Sequence, residues 1–137
     1  MKSKEIKVGH LYYVDYNPVK PYEFQGKHLA FVLKKNYDKV TYVTVPLTSK
    51  EKSEKTNLFL GKISTLPDVL GEVDSYAVID QVRTVNSARF SPVLKNGEII
   101  DVVMPKELKT KIINAVAKDM FRDFNVKISI EEINTES

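Results

Sequence analysis

Cysteine and tryptophan are both absent from this chain of 137 residues, and histidine occurs only twice. Without cysteine there is no disulfide, no thiolate metal site and no thiol nucleophile, which is compatible with a reducing cytosol. Two histidines, His10 and His28, are too few for a metal centre built on imidazole, so no metal and no cofactor is expected. The five glycines are scattered singly, which leaves no glycine-rich phosphate loop, and no Gly-x-Ser-x-Gly elbow is present. No apolar run approaches the roughly 18 residues that a membrane span needs. The first residues, Met1-Lys2-Ser3-Lys4-Glu5, are basic but lack the apolar stretch of a signal peptide. A cytoplasmic protein is the expectation.

What is present is an ordinary globular balance: 42% apolar and 28% charged residues, too apolar for disorder over most of the length. The length suits one domain. The net charge of +3 hides an asymmetry. Residues 1–62 carry twelve lysines against six acids, a balance of +6, whereas residues 63–137 carry nine basic against twelve acidic residues, a balance of −3. A basic half suits a polyanion; it also suits a merely solvated surface.

Three strands are expected in the first half. Leu11–Tyr16 is aromatic and β-branched and closes at Asn17-Pro18, His28–Leu33 is almost continuously apolar, and Val40–Val45 follows after a short turn. The second and third form a hairpin on this reading. Between the first two lies 17–27, rich in proline, aromatic and charged residues, the kind of loop on which functional groups concentrate. A polar run at Ser49–Lys55 precedes a short strand at Asn57–Leu60. Ser75–Val85 reads as one long strand, with Gln81 and Arg83 on one face by alternation. Asn96-Gly97 between apolar pairs signals a hairpin, because both residues tolerate positive φ. Pro105 opens an amphipathic helix to about Arg122, with Leu108, Ile112, Val116 and Met120 at four-residue spacing. Val126, Ile128 and Ile130 alternate as an extra strand over 126–130, followed by a mobile acidic tail at 131–137. The expected architecture is mainly β (α+β): a small barrel core over about 6–104, of five to seven strands, closed by the helix.

The side chains available are suited to metal-free acid/base chemistry. Cleavage of RNA fits that set, since the ribose 2′-OH is a built-in nucleophile. It requires only a base, an acid and support for the charge on the pentavalent transition state.

Four blocks then resemble the PemK/MazF toxins, in matching order over about residues 6–122. Val8–Pro18 is similar to their opening strand, Glu23–Leu33 to their catalytic loop and second strand, Val45-Pro46-Leu47-Thr48-Ser49 to the strand end with a functional threonine. Asp80-Gln81-Val82-Arg83-Thr84-Val85-Asn86-Ser87-Ala88-Arg89-Phe90 resembles the family's most recognisable block. The resemblance implies a homodimeric SH3-like barrel acting as a type II toxin. Such a toxin is an endoribonuclease that cuts single-stranded RNA or mRNA without metal and leaves a 2′,3′-cyclic phosphate. It also implies a cognate antitoxin partner and DNA binding by the toxin–antitoxin complex.

Carried over residue by residue, the resemblance makes His28, Thr48 and Glu23 the catalytic candidates and Lys27, Tyr22, Ser49, Gln81 and Arg83 the RNA-binding ones. One departure stands out. Many members begin the second strand with arginine followed by proline, whereas here Lys27 precedes His28-Leu29. Histidine shuttles protons near neutrality but cannot offer a permanent bidentate charge to phosphate. Arg83 is expected to brace the loop by hydrogen bonding, and Tyr12, Tyr13, Tyr16 and Tyr22 divide between core and base stacking. His10 stands where relatives carry an acid, and no role is assigned to it. A non-catalytic reading stays open: a gyrase poison like the CcdB toxins, or an inactivated relative acting through protein partners.

Overall fold

Three long antiparallel strands form the middle of the protein in a computed structural model, which describes residues 1–17, 25–49 and 57–127. They are β1 (His10–Asp15), β2 (Lys27–Lys35) and β3 (Thr41–Thr48). The β2–β3 hairpin is as expected, in a register that sets Ala30 opposite Pro46 and Phe31 opposite Val45. The remaining strands are β4 (Asn57–Gly61), β5 (Ser75–Val78), β6 (Arg83–Asn86), β7 (Phe90–Ser91), β8 (Val93–Lys95), β9 (Glu98–Ile100) and β10 (Val102–Val103).

Each outer side of the central three is completed by two short strands instead of one. β10 and β7 share the free side of β1, and β6 and β5 share the free side of β3, with β4 beyond β5 at the edge. The class is mainly β with one C-terminal helix, as expected. Among the described residues no ladder joins β10 to β4, so the sheet coils without closing.

The long strand read over Ser75–Val85 is not formed. A 3-10 turn at Ile79–Gln81 divides it into β5 and β6. Between the pairs Leu47↔Ala77 and Thr44↔Arg83, β3 advances three residues while its partner advances six. The turn takes up the excess. Val45 and Pro46 therefore lack a ladder partner on that side, and Pro46, with no N–H to donate, sits where the ladder lapses.

Alternation along the strands produces two apolar clusters, one on each face of the sheet. Leu11, Phe31, Val45, Leu47 and Ala77 face the helix α1 (Lys106–Met120), which covers them with Ile112 and Val116. Tyr12, Val14, Tyr16, Ala30, Val32, Tyr42, Val85 and Phe90 form the second cluster on the other face, together with Ile6 from the N-terminal segment. Pro105 precedes α1 with φ −54°, and the helix ends at Met120, two residues short of the expected limit. The β8–β9 hairpin turns at Asn96 (φ 52°) and Gly97 (φ 80°), the positive pair that a two-residue turn requires. Val126 and Lys127 are outside any strand. The rest of that expected strand, and the tail 131–137, lie outside the described residues. No helix among the described residues is long and apolar enough to cross a membrane.

Candidate functional site

Register places the catalytic candidates. The β2–β3 ladder ends at the pair Ala30↔Pro46, two residues short of His28 on one strand and of Thr48 on the other. Thr48 faces Tyr76 of β5, and Tyr76 faces Phe59 of β4. Directly opposed residues share a face of the sheet, about 5 Å apart per strand. His28 by alternation from Ala30, and Thr48, Tyr76 and Phe59 by direct pairing, therefore lie on one face at this end of β2, β3, β5 and β4. The first three are half-buried and Phe59 is exposed. This is the face of the second apolar cluster, at the end of the strands beyond Tyr16.

The imidazole of His28 is oriented by backbone. Its Nε2 lies 2.8 Å from the Gln25 carbonyl oxygen. A carbonyl only accepts, so Nε2 carries the hydrogen, and in the neutral ring Nδ1 is then the basic nitrogen. Gly26 makes that turn with φ 89°, and the position of a Cβ there is 3.5 Å from Nε2. Space suffices for a side chain; the backbone angle is what demands glycine.

Next to these residues the loop stem is tied down. The Tyr16 N–H donates to the Gly26 carbonyl at 2.9 Å, and the Gly26 N–H donates to Asn17 Oδ1 at 3.2 Å. Arg83 Nη1 donates to the Tyr16 carbonyl at 2.9 Å, with its guanidinium 5.9 Å from the centre of the Tyr16 ring. Arg89, on the 3-10 turn Ser87–Arg89, donates to the Asp15 carbonyl at 3.1 Å and to that of Asn17. A closed circuit underlies the stem. Thr44 Oγ1 donates to the Arg83 carbonyl at 3.0 Å, so the Tyr16 hydroxyl must donate to Thr44 Oγ1, 2.7 Å away. Burial pushes the Tyr16 phenol well above its ordinary range, against the opposing Thr44 bond and Arg83 charge, and it stays a donor.

The sequence candidates divide accordingly. His28 and Thr48 lie on one face, each two residues beyond the last β2–β3 pair, and Ser49 follows Thr48 as an exposed residue. Arg83 has the bracing geometry expected of it. Gln81 lies on the 3-10 turn, so the alternation that paired it with Arg83 on one face of a strand does not apply. Lys27 precedes His28 in β2 and so faces the other way; its ammonium lies 5.4 Å from the centre of the Tyr13 ring. Tyr12 and Tyr16 are core residues, while Tyr13 packs against the first cluster. Tyr22 and Glu23 lie outside the described residues. So does most of the polar run after Ser49.

Sequence reasoning missed Tyr76, Phe59 and the role of Arg89. The Phe59 and Tyr76 rings meet edge to face, with centres 5.4 Å apart, and Lys111 of α1 donates to the Phe59 carbonyl at 2.6 Å. A register shift between Phe59 and Gly61 follows that pair. His10, to which no role was assigned, is buried with Nδ1 2.6 Å from Asp101 Oδ1, and Lys7 pairs with the other oxygen at 2.9 Å. That cluster joins the start of β1 to β10, far from His28 and Thr48. Among the described residues no three His, Asp or Glu side chains are grouped to hold a metal ion.

The family described as PemK-like, MazF-like toxin of type II toxin–antitoxin system matches residues 7–118. No curated protein matches the chain significantly. Among solved structures, MazF of Deinococcus radiodurans is similar with a TM-score of 0.62 at 21% identity, over 84% of this chain and 96% of that one. The MazE–MazF complex of the same organism gives 0.56 at 19% identity, over 84% and 95%. An endoribonuclease from a mycobacterial species gives 0.51 at 17% identity, over 82% and 88%. At these identities the likeness is one of fold.

Proposed function

The chain belongs to the PemK-like, MazF-like toxins of type II toxin–antitoxin systems, and from that premise we propose that it is a metal-independent endoribonuclease acting on single-stranded RNA in the cytoplasm. One observation supports the reading: His28, with its Nε2 turned to the Gln25 carbonyl, and Thr48 lie on one half-buried face at the same end of β2 and β3.

The chemistry follows from those two groups. His28 Nδ1 accepts the proton of a ribose 2′-OH, and the freed oxygen attacks the adjacent phosphorus. Thr48 Oγ1 donates to a non-bridging phosphate oxygen as negative charge builds there. The bond to the 5′-oxygen breaks, the leaving oxygen takes up a proton, and a 2′,3′-cyclic phosphate remains. Glu23 is proposed to orient His28 or supply that proton. Ser49, Gln81 and Tyr22 are proposed to contact RNA, and Tyr76 and Phe59 extend the same face beyond the phosphate. Arg83 and Arg89 act indirectly, because their guanidinium groups hold the carbonyls at the loop stem. Lys27, on the opposite face, is left to long-range attraction of phosphate.

The proposed assembly is a homodimer restrained by a cognate antitoxin, with DNA binding a property of the toxin–antitoxin complex. Sedimentation at micromolar concentration then gives twice the mass of the chain, and a clean monomer contradicts it. For the activity, purified protein is incubated with a long single-stranded RNA in EDTA. Discrete fragments ending in cyclic phosphate are the expected result. Intact RNA together with inhibition of gyrase would favour the non-catalytic alternative.

A further inference from the structure

The tip of the β2–β3 hairpin lies at the opposite end of both strands from His28 and Thr48. Lys35 is seven residues from His28 along β2, about 23 Å at the strand rise. Its turn is fully braced. The Asn36 N–H donates to the Thr41 carbonyl and the Lys39 N–H to the Asn36 carbonyl, both at 3.0 Å. The Asp38 carboxylate accepts from the Val40 and Thr41 N–H groups at 2.9 and 2.8 Å and from the Thr41 hydroxyl at 2.7 Å. The Thr41 hydroxyl bond, then the two amides, hold the Asp38 carboxyl below the usual carboxylate range.

Tyr37 takes no part in that scaffold. Its side chain is completely exposed (100%), and together with Lys35, Asn36 and Lys39 it lines a shallow hollow. The N-terminal 3-10 turn Ser3–Glu5 is fastened against the same tip. Ser3 Oγ donates to the Lys39 carbonyl, and the Tyr42 hydroxyl donates to the Ser3 carbonyl at 2.7 Å. Exposed Lys2 and Lys4 thus join Lys35 and Lys39 at one corner. Facing those four lysines are two carboxylates, Glu5 and Asp38, the latter committed to the turn.

We propose that this tip is a second binding surface for single-stranded RNA, where one unpaired base stacks on Tyr37 and the lysines meet the flanking phosphates. An aromatic ring among cations suits any base, since every base presents a π-face. The braced turn presents that ring with little ordering left to occur on binding. Four lysines against two carboxylates give the corner the charge that a phosphate backbone complements. The choice of RNA as occupant rests on the reading of the His28–Thr48 face given above. A strand long enough to span both surfaces binds more tightly than one that fills only the first.

The test measures binding of fluorescent 2′-O-methyl oligouridines, whose blocked 2′-oxygen prevents cleavage, at lengths of about 5 and about 20 nucleotides. Tyr37→Ala should weaken binding of the long oligonucleotide roughly 5-fold or more and leave the short one unchanged. Tyr37→Phe should bind both like the parent. The double variant Lys35→Ala, Lys39→Ala should lower the slope of log K against log salt by about 1.4, since each single-strand phosphate contact contributes about 0.7. Unchanged affinity of Tyr37→Ala for the long RNA, or equal losses on both lengths, overturns the proposal and leaves the tip to a protein partner. If the parent binds neither oligonucleotide, the RNA reading of the His28–Thr48 face falls as well.

Discussion

Tyr16, Thr44 and Arg83 occupy one stretch of the same sheet face that carries His28, Thr48 and Tyr76 a few residues along. In the first stretch the polar groups serve one another: hydroxyl to hydroxyl, hydroxyl to carbonyl, guanidinium back to carbonyl. In the second, the side chains sit half-buried at the surface, and the imidazole is oriented by backbone at Gln25. The inner stretch builds stiffness and the outer one uses it, because a base must be held in place to act. Substitutions in the two stretches should therefore separate: outer ones change rate without changing stability, inner ones change stability first.

The largest effect is expected from His28→Ala. Loss of a general base is typically worth ~10²–10⁴-fold, so cleavage should fall by that range while the melting temperature holds. A matching loss of stability would break the division. Thr48→Ala removes a donor to a charged phosphate, a bond worth about 1.5–3 kcal/mol. Cleavage should slow by roughly 10- to 150-fold. In the inner stretch, Thr44→Val keeps the shape but removes the hydroxyl that joins the Tyr16 hydroxyl to the Arg83 carbonyl. Denaturant unfolding should show a loss of about 1–3 kcal/mol, with the rate reduced only as far as the loop stem loosens. An unchanged midpoint would mean that the circuit contributes nothing.

The smallest effect concerns acid stability. Burial works against the Asp101 carboxylate, but hydrogen bonds from Lys7 and His10 and their charges outweigh it and hold its pKa below the ordinary range. A depressed carboxyl stabilises the fold above the ordinary carboxylate range, and the contribution disappears as pH falls through the depressed one. Asp101→Asn should flatten that acid limb of the stability curve and leave cleavage unaltered. An unchanged limb would place the acid sensitivity elsewhere.

Much of the scaffold was legible because local chemistry agreed with the fold. Asn96-Gly97 specified its turn, Pro105 the start of α1, and the apolar stripe the face that α1 buries. The break at Ile79–Gln81 was not legible, because an apolar run reads the same whether or not the ladder is continuous. Pro46 in the middle of β3 was its only trace. His28 and Thr48 could be named from the resemblance, yet their lying on one face depends on hairpin register. Lys27 could have been separated from His28 by strand alternation alone. Tyr76 and Phe59 were hidden because strand pairing across β3, β5 and β4, not local pattern, lines them up with Thr48. Arg89 and His10 act through contacts more than 70 residues distant in sequence, which no local pattern encodes.

The central claim is that His28 is the proton acceptor at the outer end of this face. Measuring the cleavage rate of single-stranded RNA against pH in EDTA, for the parent and for His28→Arg, tests it most directly. The parent rate should fall on acidification, since only the neutral ring accepts a proton. The residual cleavage of His28→Arg should show no such limb, because a guanidinium keeps its proton throughout and takes none from the 2′-OH. The same acid limb in both proteins would contradict the account and move the base to another residue.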